Sequence, residues 1–378
     1  MSLAALVLAS ALAQASPAAV PAAPSPEPSP RAGAAVSDRV APPPAPAPYA
    51  PRPVAYGYVD FQVSSTDRPS PAPGVSTAEF RRARIGVRGE VLPRVGYTVL
   101  FDAADTSLKD AYVGLRFSPR VELRLGQFKT PFGYEQAESD TKLLWVYNSY
   151  VVQALARGRD SRDLGALLTG RLDLSSLLGV ELAAAGVNGA GPNAKDDLNE
   201  KNFWGRGGVA LKLGRAVARA GGSYGYGRQV QSLGADGKLG VVGAVLDDTY
   251  TYFHTAGADV TIDTPWFFGA AELIQSRRHQ QKFASPGVVT VANPTARGWY
   301  AGGYGKTPWS VGPVLRVEQY DPNDAASARG DRNERITLGA YYDFLPVNAR
   351  FVVNYELDRS DRAVRTGNRA IALAQVVF

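Results

Sequence analysis

The 378-residue sequence contains no cysteine and only two histidines, His254 and His279. Without cysteine there is no disulfide framework, no thiol catalysis and no metal site with cysteine ligands. Two histidines far apart in the chain offer little to a histidine-based metal cluster, a proton relay or a serine–histidine hydrolase site. We therefore expect no cofactor, no metal and no enzyme activity.

The sequence also lacks any window of 18 apolar residues, so it predicts no transmembrane helix. The mean hydropathy of −0.15 suits a soluble protein, or a barrel whose polar and apolar faces alternate. The chain has 41 Lys and Arg against 35 Asp and Glu, a formal charge of +6. This excess is small and evenly mixed, so it does not indicate nucleic-acid binding.

The N-terminal region predicts a secreted protein with a flexible arm. An apolar run from Leu3 to Ala13 leads to Ala13-Gln14-Ala15, which is typical of a signal peptide cleaved after Ala15. The basic n-region is missing, and a short buried helix is the alternative. Residues 16–53 hold 13 of the 27 prolines and favour an extended polyproline II conformation. We expect 1–15 to be a signal peptide and 16–53 a disordered periplasmic linker.

From residue 54 to 378, apolar and polar residues alternate with a period of two in sixteen segments of about ten residues each. Tilted strands of this length cross a bilayer. Tight turns such as Leu92-Pro93-Arg94 follow the even-numbered strands, and longer segments follow most odd-numbered ones. Short periplasmic turns and long external loops are typical of an outer-membrane barrel. The sequence therefore predicts an all-β fold, a 16-stranded antiparallel transmembrane β-barrel formed by 54–378.

Charged side chains indicate which face of each strand lines the lumen. Arg82, Arg84 and Arg88 share one face of the second strand, and each would cost about 2–4 kcal/mol against lipid near the midplane. The same alternation directs Arg116 and Arg124 inward. Rings of Arg or Lys are how anion pores select. We predict a water-filled lumen in which these five arginines line an anion pathway.

The longest connection, Lys129 to Ser161, is the third of the external loops. Loops of this length are usually functional or disordered, and its aromatic and charged composition argues against disorder. We predict that this segment, called the central loop below, folds into the lumen and narrows it. The predicted constriction residues are Lys129, Arg157, Arg159 and Arg162. The alternative is that such arginines form interior salt bridges with Glu90, Glu122, Asp160 and Asp163.

Three aromatic residues of the central loop, Trp145, Tyr147 and Tyr150, allow two interpretations. They stack on sugars, or they pin the loop against the barrel wall. Other aromatic residues near strand ends predict interfacial girdles. These are Tyr97, Phe101, Tyr224, Tyr226, Trp266, Trp299, Trp309, Tyr341 and Tyr342.

Three stretches together resemble the phosphate-selective porin O/P family. They are Phe80-Arg81-Arg82-Ala83-Arg84-Ile85-Gly86, Gly126-Gln127-Phe128-Lys129-Thr130-Pro131-Phe132-Gly133-Tyr134-Glu135 and Arg157-Gly158-Arg159-Asp160. The resemblance covers 54–378, with its specific motifs between 80 and 170. It implies a homotrimeric channel in outer-membrane lipid and lipopolysaccharide, constricted by its third external loop and passing small inorganic anions, including phosphate or polyphosphate. It also implies that the barrel-assembly machinery recognises the terminal Phe378.

Two alternatives stay open. The charges of the central loop and its flanks balance, which also fits a general-diffusion porin without phosphate selectivity. A structural envelope barrel tethered through the proline-rich arm is the other alternative.

Overall fold

The computed structural model describes residues 52–68, 74–156, 161–196, 200–230, 250–285, 288–292, 295–324, 330–345 and 348–378. The predicted signal peptide and nearly all of the predicted linker lie outside the described residues, as do Arg157 and Arg159. Within these ranges, no helix is both long enough and apolar enough to span a membrane.

The described residues form seventeen β-strands and one short helix. The strands are β1 (Val54–Asp67), β2 (Val75–Leu92), β3 (Val95–Asp102), β4 (Ser107–Ser118), β5 (Val121–Lys129), β6 (Arg162–Asp173), β7 (Leu178–Val187), β8 (Asn202–Leu213), β9 (Ala216–Val230), β10 (Tyr250–Asp263), β11 (Phe267–Ser285), β12 (Val288–Ala292), β13 (Thr295–Gly305), β14 (Val311–Asp321), β15 (Asn333–Leu345), β16 (Ala349–Asp358) and β17 (Asn368–Val377). The helix is α1 (Tyr150–Leu155), within the central loop.

The strands close into a barrel of sixteen antiparallel strands. β1 pairs with β2 on one side and with β17 on the other, so the sheet has no free edge there. β12 pairs only with the far end of β11, while the rest of β11 pairs with β13. β12 is therefore an extension of a hairpin, and the other sixteen strands form the wall. This confirms the predicted 16-stranded antiparallel β-barrel.

Several strands extend beyond their predicted limits. β2 begins at Val75 rather than at residue 80, and β11 continues to Ser285 rather than to 278. Outside the apolar band both faces of a strand meet water, so the ladder continues without the alternation that the sequence pattern detects. Below, the long-loop end is the end of the barrel that carries the central loop, and the short-turn end is the opposite one.

A β-bulge in β2 changes which residues face the lumen. Asp60 of β1 pairs with Arg82, whereas the next residue, Phe61, pairs with Phe80, so Arg81 has no partner across the pair. Phe80 points outward and contacts Phe61 edge to face, with the ring centroids 5.5 Å apart. Arg81 and Arg82 then both point inward, because the extra residue resets the alternation.

A second bulge lies in β4. Leu100 of β3 pairs with Asp110, and Phe101 pairs with Leu108, so Lys109 is the extra residue. Its side chain is buried in the lumen and forms an ion pair with Asp105. Both bulges therefore add a basic side chain to the barrel interior.

The lumen is not polar throughout, which corrects the expectation of a wholly water-filled interior. The central loop packs an apolar cluster against the inner face of β8, β10, β11 and β13. Trp204, Phe253, Ile274 and Tyr300 point inward on those four strands. The prediction was wrong there because the face assignment rested on strands β2, β4, β5 and β16, whose inward residues are charged or polar.

The predicted girdles also need one correction. Tyr341 is buried, packs against Tyr304 and donates a hydrogen bond to the Gly305 carbonyl oxygen at 2.9 Å. It therefore faces the lumen rather than the lipid. By contrast, Trp266 and Trp309 are highly exposed in the turns at the short-turn end.

Candidate functional site: a constricted lumen

The described part of the central loop between β5 and β6, residues 130–156 and 161, reaches across the barrel interior. It leaves β5 beside β6 and contacts the distant strands β14 and β16. The Asn354 amide oxygen accepts a hydrogen bond from the Val146 backbone N–H at 2.8 Å, and its amide nitrogen donates to the Leu144 carbonyl at 3.3 Å. Glu318 of β14 accepts from the Tyr150 backbone N–H at 2.7 Å. Polar side chains of the wall thus replace water as partners for the loop backbone.

Glu135 connects several parts of the central loop with one another and with the wall, and it is fully buried. Its carboxylate accepts hydrogen bonds from Trp145 Nε1 at 2.8 Å and from Ser149 Oγ at 2.7 Å. On the wall side, a guanidinium nitrogen of Arg316 lies 3.4 Å from the same carboxylate. Burial raises the pKa of Glu135, and the charge of Arg316 opposes that rise. A buried, paired carboxylate of this kind holds loop and wall together, because removing either partner leaves the other charge uncompensated.

Tyr147 is held between two guanidinium groups. The Arg81 guanidinium lies 3.9 Å from the ring centroid, and that of Arg369 lies 3.7 Å from it. Gln62 donates a hydrogen bond to the Tyr147 hydroxyl at 2.7 Å. These cation–π contacts support the interpretation that the loop aromatics pin the loop to the wall rather than stack on sugars.

Asp140 connects the loop to the arginines of β2. Its carboxylate lies 2.8 Å from a guanidinium nitrogen of Arg84 and 3.3 Å from one of Arg82. Lys129 Nζ is 3.9 Å away. Burial acts to raise the pKa of Asp140, but Arg82, Lys129 and Arg84 outweigh it and hold the pKa well below its usual range. Asp140 is therefore ionised and offsets part of the positive charge of β2.

Open space remains on the long-loop side of the lumen, beside the central loop, with a volume of about 930 Å³. Six basic residues and three acidic ones line it. The basic residues are Arg81, Arg82, Arg84, Lys109, Lys129 and Arg162, and the acidic ones are Asp102, Asp105 and Asp140. The lining thus has an excess of positive charge, although several of these groups pair with one another.

A second open space, of about 800 Å³, lies on the side of the short turns. Its lining again holds six basic residues and three acidic ones. The basic residues are Arg88, Arg116, Arg120, Arg171, Arg206 and Arg219, and the acidic ones are Glu90, Glu122 and Glu181. Both of these open spaces are therefore lined by more positive than negative side chains.

The five predicted pathway arginines all point into the lumen, in different electrostatic settings. Arg82 pairs with Asp60 at 3.0 Å and Arg84 with Asp102 at 2.8 Å, besides their contacts to Asp140. Arg116 pairs with Glu90, and Arg124 pairs with Glu122 at 2.7 Å. Arg88 stacks on Tyr56 at 5.1 Å and has no ion-pair partner among the described residues. Four of the five arginines thus form interior salt bridges, but only Arg116 and Arg124 do so with carboxylates that the alternative named.

The predicted constriction residues divide into two groups. Lys129 is the last residue of β5 and Arg162 the first of β6, so both lie on the wall and not on the loop, which corrects their assignment. Lys129 Nζ donates to the Glu138 carbonyl at 2.7 Å, and Arg162 pairs with Asp110 at 2.9 Å. Arg157 and Arg159 lie outside the described residues and stay predictions.

Two lumen residues, Arg81 and Lys109, were missed by the alternation rule because each sits at a bulge. A signal for them exists in the sequence. Arg81-Arg82 and Lys109-Asp110 are adjacent charged pairs within strands, and strict alternation would force one member of each toward lipid. The bulge removes that cost. In contrast, the anchors Arg316 and Glu318 were missed because nothing local in the sequence relates them to a loop about 170 residues away.

The described residues contain no group of three or more His, Asp or Glu side chains placed to hold a metal ion. The buried carboxylates of the lumen are engaged instead with arginines and loop backbone. The site is therefore a charged, narrowed passage.

A family model described as phosphate-selective porin O and P matches residues 54–378. The chain belongs to this family. No curated protein matches the sequence. The porin forms an outer-membrane channel for passive diffusion, in agreement with its closed barrel and open lumen.

Solved porin structures share this fold at low sequence identity. An anion-selective porin from Comamonas acidovorans has a TM-score of 0.60 and 13% identity, covering 87% of this chain and 100% of that one. Salmonella typhi OmpF, in complex with daunomycin, has a TM-score of 0.59 and 14% identity, covering 86% and 97%. The trimer form of Vibrio cholerae OmpT has a TM-score of 0.56 and 12% identity, covering 87% and 100%. At these identities the likeness concerns the fold alone.

Proposed function

We propose that the porin prefers small inorganic anions, with phosphate and polyphosphate as the solutes to test first. The observation that carries this proposal is the composition of two open spaces in the lumen, each lined by six basic and three acidic residues. A narrow passage with low-dielectric walls focuses such a potential and concentrates counter-ions of opposite sign. Membership of the phosphate-selective porin family, and the shared fold of the anion-selective porin from Comamonas acidovorans, support the same preference.

The ion pairs in the lumen set the strength of this preference. Paired arginines bind an anion more weakly than free ones, because the neighbouring carboxylate repels it. For conduction, an anion must bind favourably enough to enter the channel and weakly enough to leave it. Arginine forks still suit phosphate oxygens, since they donate two parallel hydrogen bonds. A series of partly compensated arginines therefore fits a diffusion channel better than a tight phosphate-binding protein.

Assembly and targeting form the second part of the proposal. The porin acts as a homotrimer in the outer membrane, with 1–15 as its signal peptide and 16–53 as a periplasmic linker. In the closed barrel, Phe378 exchanges backbone hydrogen bonds of 2.9 and 3.0 Å with Gly57. Recognition of Phe378 by the assembly machinery therefore precedes closure of the β1–β17 seam.

Planar-bilayer recording of the purified porin tests the selectivity. In a potassium chloride gradient the reversal potential should shift toward the chloride potential, and phosphate or pyrophosphate should reduce the chloride current. A shift toward the potassium potential rejects the anion channel. Anion preference without a phosphate or pyrophosphate block identifies the general-diffusion alternative. For the tether alternative, deletion of 16–53 should weaken the envelope while leaving the conductance unchanged.

A further inference from the structure

A third open space lies inside the barrel at its long-loop end, and we call it the recess. Its volume is about 730 Å³. Small-molecule sites commonly occupy about 300–1,000 Å³. The described residues that line the recess come from β1, β2, β15 and β17, from the β16–β17 loop and from the central loop. The recess therefore has the size of a small-molecule site and lies where the barrel closes between β17 and β1.

The central loop separates the recess from the open space that Arg82 and Arg84 line. Among the described residues, the two spaces share only Tyr147 and Gln153 of that loop. Tyr147 is fixed from both sides by the guanidinium groups of Arg81 and Arg369. The recess is therefore a side compartment of the lumen, next to the passage.

Four arginines line the recess, and no acidic residue in the described part of the chain does so. Two of the four, Arg68 at the end of β1 and Arg365 in the β16–β17 loop, form no ion pair with another described residue. Arg365 donates a hydrogen bond to the Asp358 backbone carbonyl oxygen at 3.0 Å. The Asp358 carboxylate itself accepts from the backbone N–H groups of Thr366 and Gly367 at 2.6 and 2.8 Å. Arg68 and Arg365 thus keep charge that can act on a ligand.

The other two arginines, Arg335 and Arg369, have acidic partners that do not line the recess. Glu356 lies 3.2 Å from the Arg335 guanidinium and 2.5 Å from that of Arg369, so one carboxylate serves both. Glu318 is 3.9 Å from Arg335 but is nearer, at 3.1 Å, to Arg316. These carboxylates therefore compensate the two arginines only in part, and the recess has an excess of positive charge.

Hydroxyl and amide groups supply more of the polar lining. Ser64, Thr66 and Thr77 each bring a hydroxyl that can donate or accept a hydrogen bond. The Gln153 amide nitrogen donates to the Asn148 carbonyl oxygen, so its amide oxygen is left to accept from a ligand. A fully ionised condensed phosphate has acceptor oxygens only and would leave such acceptors unused. A ligand that also carries a hydroxyl group matches the lining better.

We propose that the recess binds a small hydroxylated polycarboxylate, the chemistry of a hydroxy-tricarboxylic acid. Planar carboxylates accept two parallel hydrogen bonds from a guanidinium fork. The four arginines lie on four separate segments of the chain, which suits carboxylates carried on separate carbon atoms. The hydroxyl and amide groups of the lining bind the alcohol of the same ligand.

Isothermal titration calorimetry of the full-length porin in detergent, with citrate as the probe, tests the proposal. Buffers are stripped of divalent cations beforehand, because citrate binds them. The variant R68Q/R365Q should bind citrate at least about tenfold more weakly, since each arginine supplies charge-assisted hydrogen bonds. The control R359Q/R362Q removes two exposed arginines of the same β16–β17 loop that do not line the recess, and it should bind citrate like the wild type.

Titrations of the wild type with two other anions test the ligand chemistry. Tricarballylate, which has three carboxylates but no hydroxyl, should bind more weakly than citrate, and so should pyrophosphate. The proposal is overturned if the wild type does not bind citrate, if R68Q/R365Q binds it equally well, or if tricarballylate binds as tightly. Pyrophosphate binding that equals that of citrate and is lost in R68Q/R365Q also overturns it, because the recess then serves phosphate. The titration uses no ionic current, so its outcome is separate from the reversal-potential test of the passage.

Discussion

Asp140 of the central loop lies 2.8 Å from the Arg84 guanidinium of β2, and this contact joins the constriction to the wall. The same carboxylate accepts a hydrogen bond from the Tyr58 hydroxyl of β1 at 3.2 Å. One acidic side chain thus positions the loop and at the same time lowers the net positive charge beside it. Its removal should separate these two effects experimentally.

Replacing Asp140 by Asn should increase anion preference. The amide keeps most of the shape and hydrogen bonding of the carboxylate but leaves Arg82 and Arg84 less compensated. We expect the reversal potential in a salt gradient to move further toward the chloride potential. Glu138→Gln is the control, since Glu138 pairs with the exposed Lys142, and it should change the potential less. An unchanged potential in Asp140→Asn would show that anions do not pass these arginines.

Acid should affect this contact only at low pH. Asp140 has a depressed pKa in the folded protein, because the charges of Arg82, Lys129, Arg84 and Arg162 outweigh its burial. Its contribution is therefore present above the unfolded pKa of about 3.9 and is lost as the pH falls through the lower folded value. We expect a constant reversal potential from about pH 8 to pH 5. A pH-dependent change within that range that disappears in Asp140→Asn would contradict the assignment.

Arg88 should contribute more to selectivity than the paired arginines. Arg88→Gln removes a charge without an ion-pair partner in the described part of the chain, so anion preference should fall. The double variant Arg116→Gln with Glu90→Gln removes an ion pair and leaves the net charge of the lumen unchanged. Its reversal potential should match that of the wild type. If both variants shift the potential equally, charge balance does not set the selectivity.

Glu135→Ala should release the loop. The substitution removes the partner of Trp145 and Ser149 and leaves the buried Arg316 with less compensation, at a cost of roughly 3–5 kcal/mol. We expect a lower melting temperature in detergent and larger, noisier single-channel conductance. Glu138→Ala, on the same loop but at a partly exposed side chain, should leave both measurements near the wild-type values. Unchanged conductance in Glu135→Ala would mean that other contacts suffice to hold the loop.

Gly126→Ala should destabilise the barrel, whereas Gly170→Ala should not. Gly126 in β5 has a φ of +133°, and a Cβ there would lie 2.2 Å from the Ala111 carbonyl oxygen. Gly170 in β6 has open space at the same position. A strained backbone of this kind costs roughly 1–3 kcal/mol, besides the clash. Heat-dependent mobility in gel electrophoresis compares the two variants, and equal stability would contradict the prediction.

Local sequence patterns determined much of this protein. The alternation of apolar and polar residues predicted the number of strands and the closed barrel, because side chains on a strand must alternate between lipid and lumen. The cost of a charge in lipid placed Arg82, Arg84, Arg88, Arg116 and Arg124 inward. The length of the central loop identified it as a segment that does not follow the alternating pattern of the strands. Each of these inferences depends on residues close together in the chain.

Only the tertiary structure decided how the lumen is filled and how its charges are compensated. The bulges at Arg81 and Lys109 depend on pairing with neighbouring strands, and each shifts one basic residue inward. Asp140 meets Arg84, and Glu135 meets Arg316, across 56 and 181 residues of chain respectively. Such contacts arise because a closed barrel brings distant strands together around one narrow space. The alternation of residues within a single strand gives no information about them.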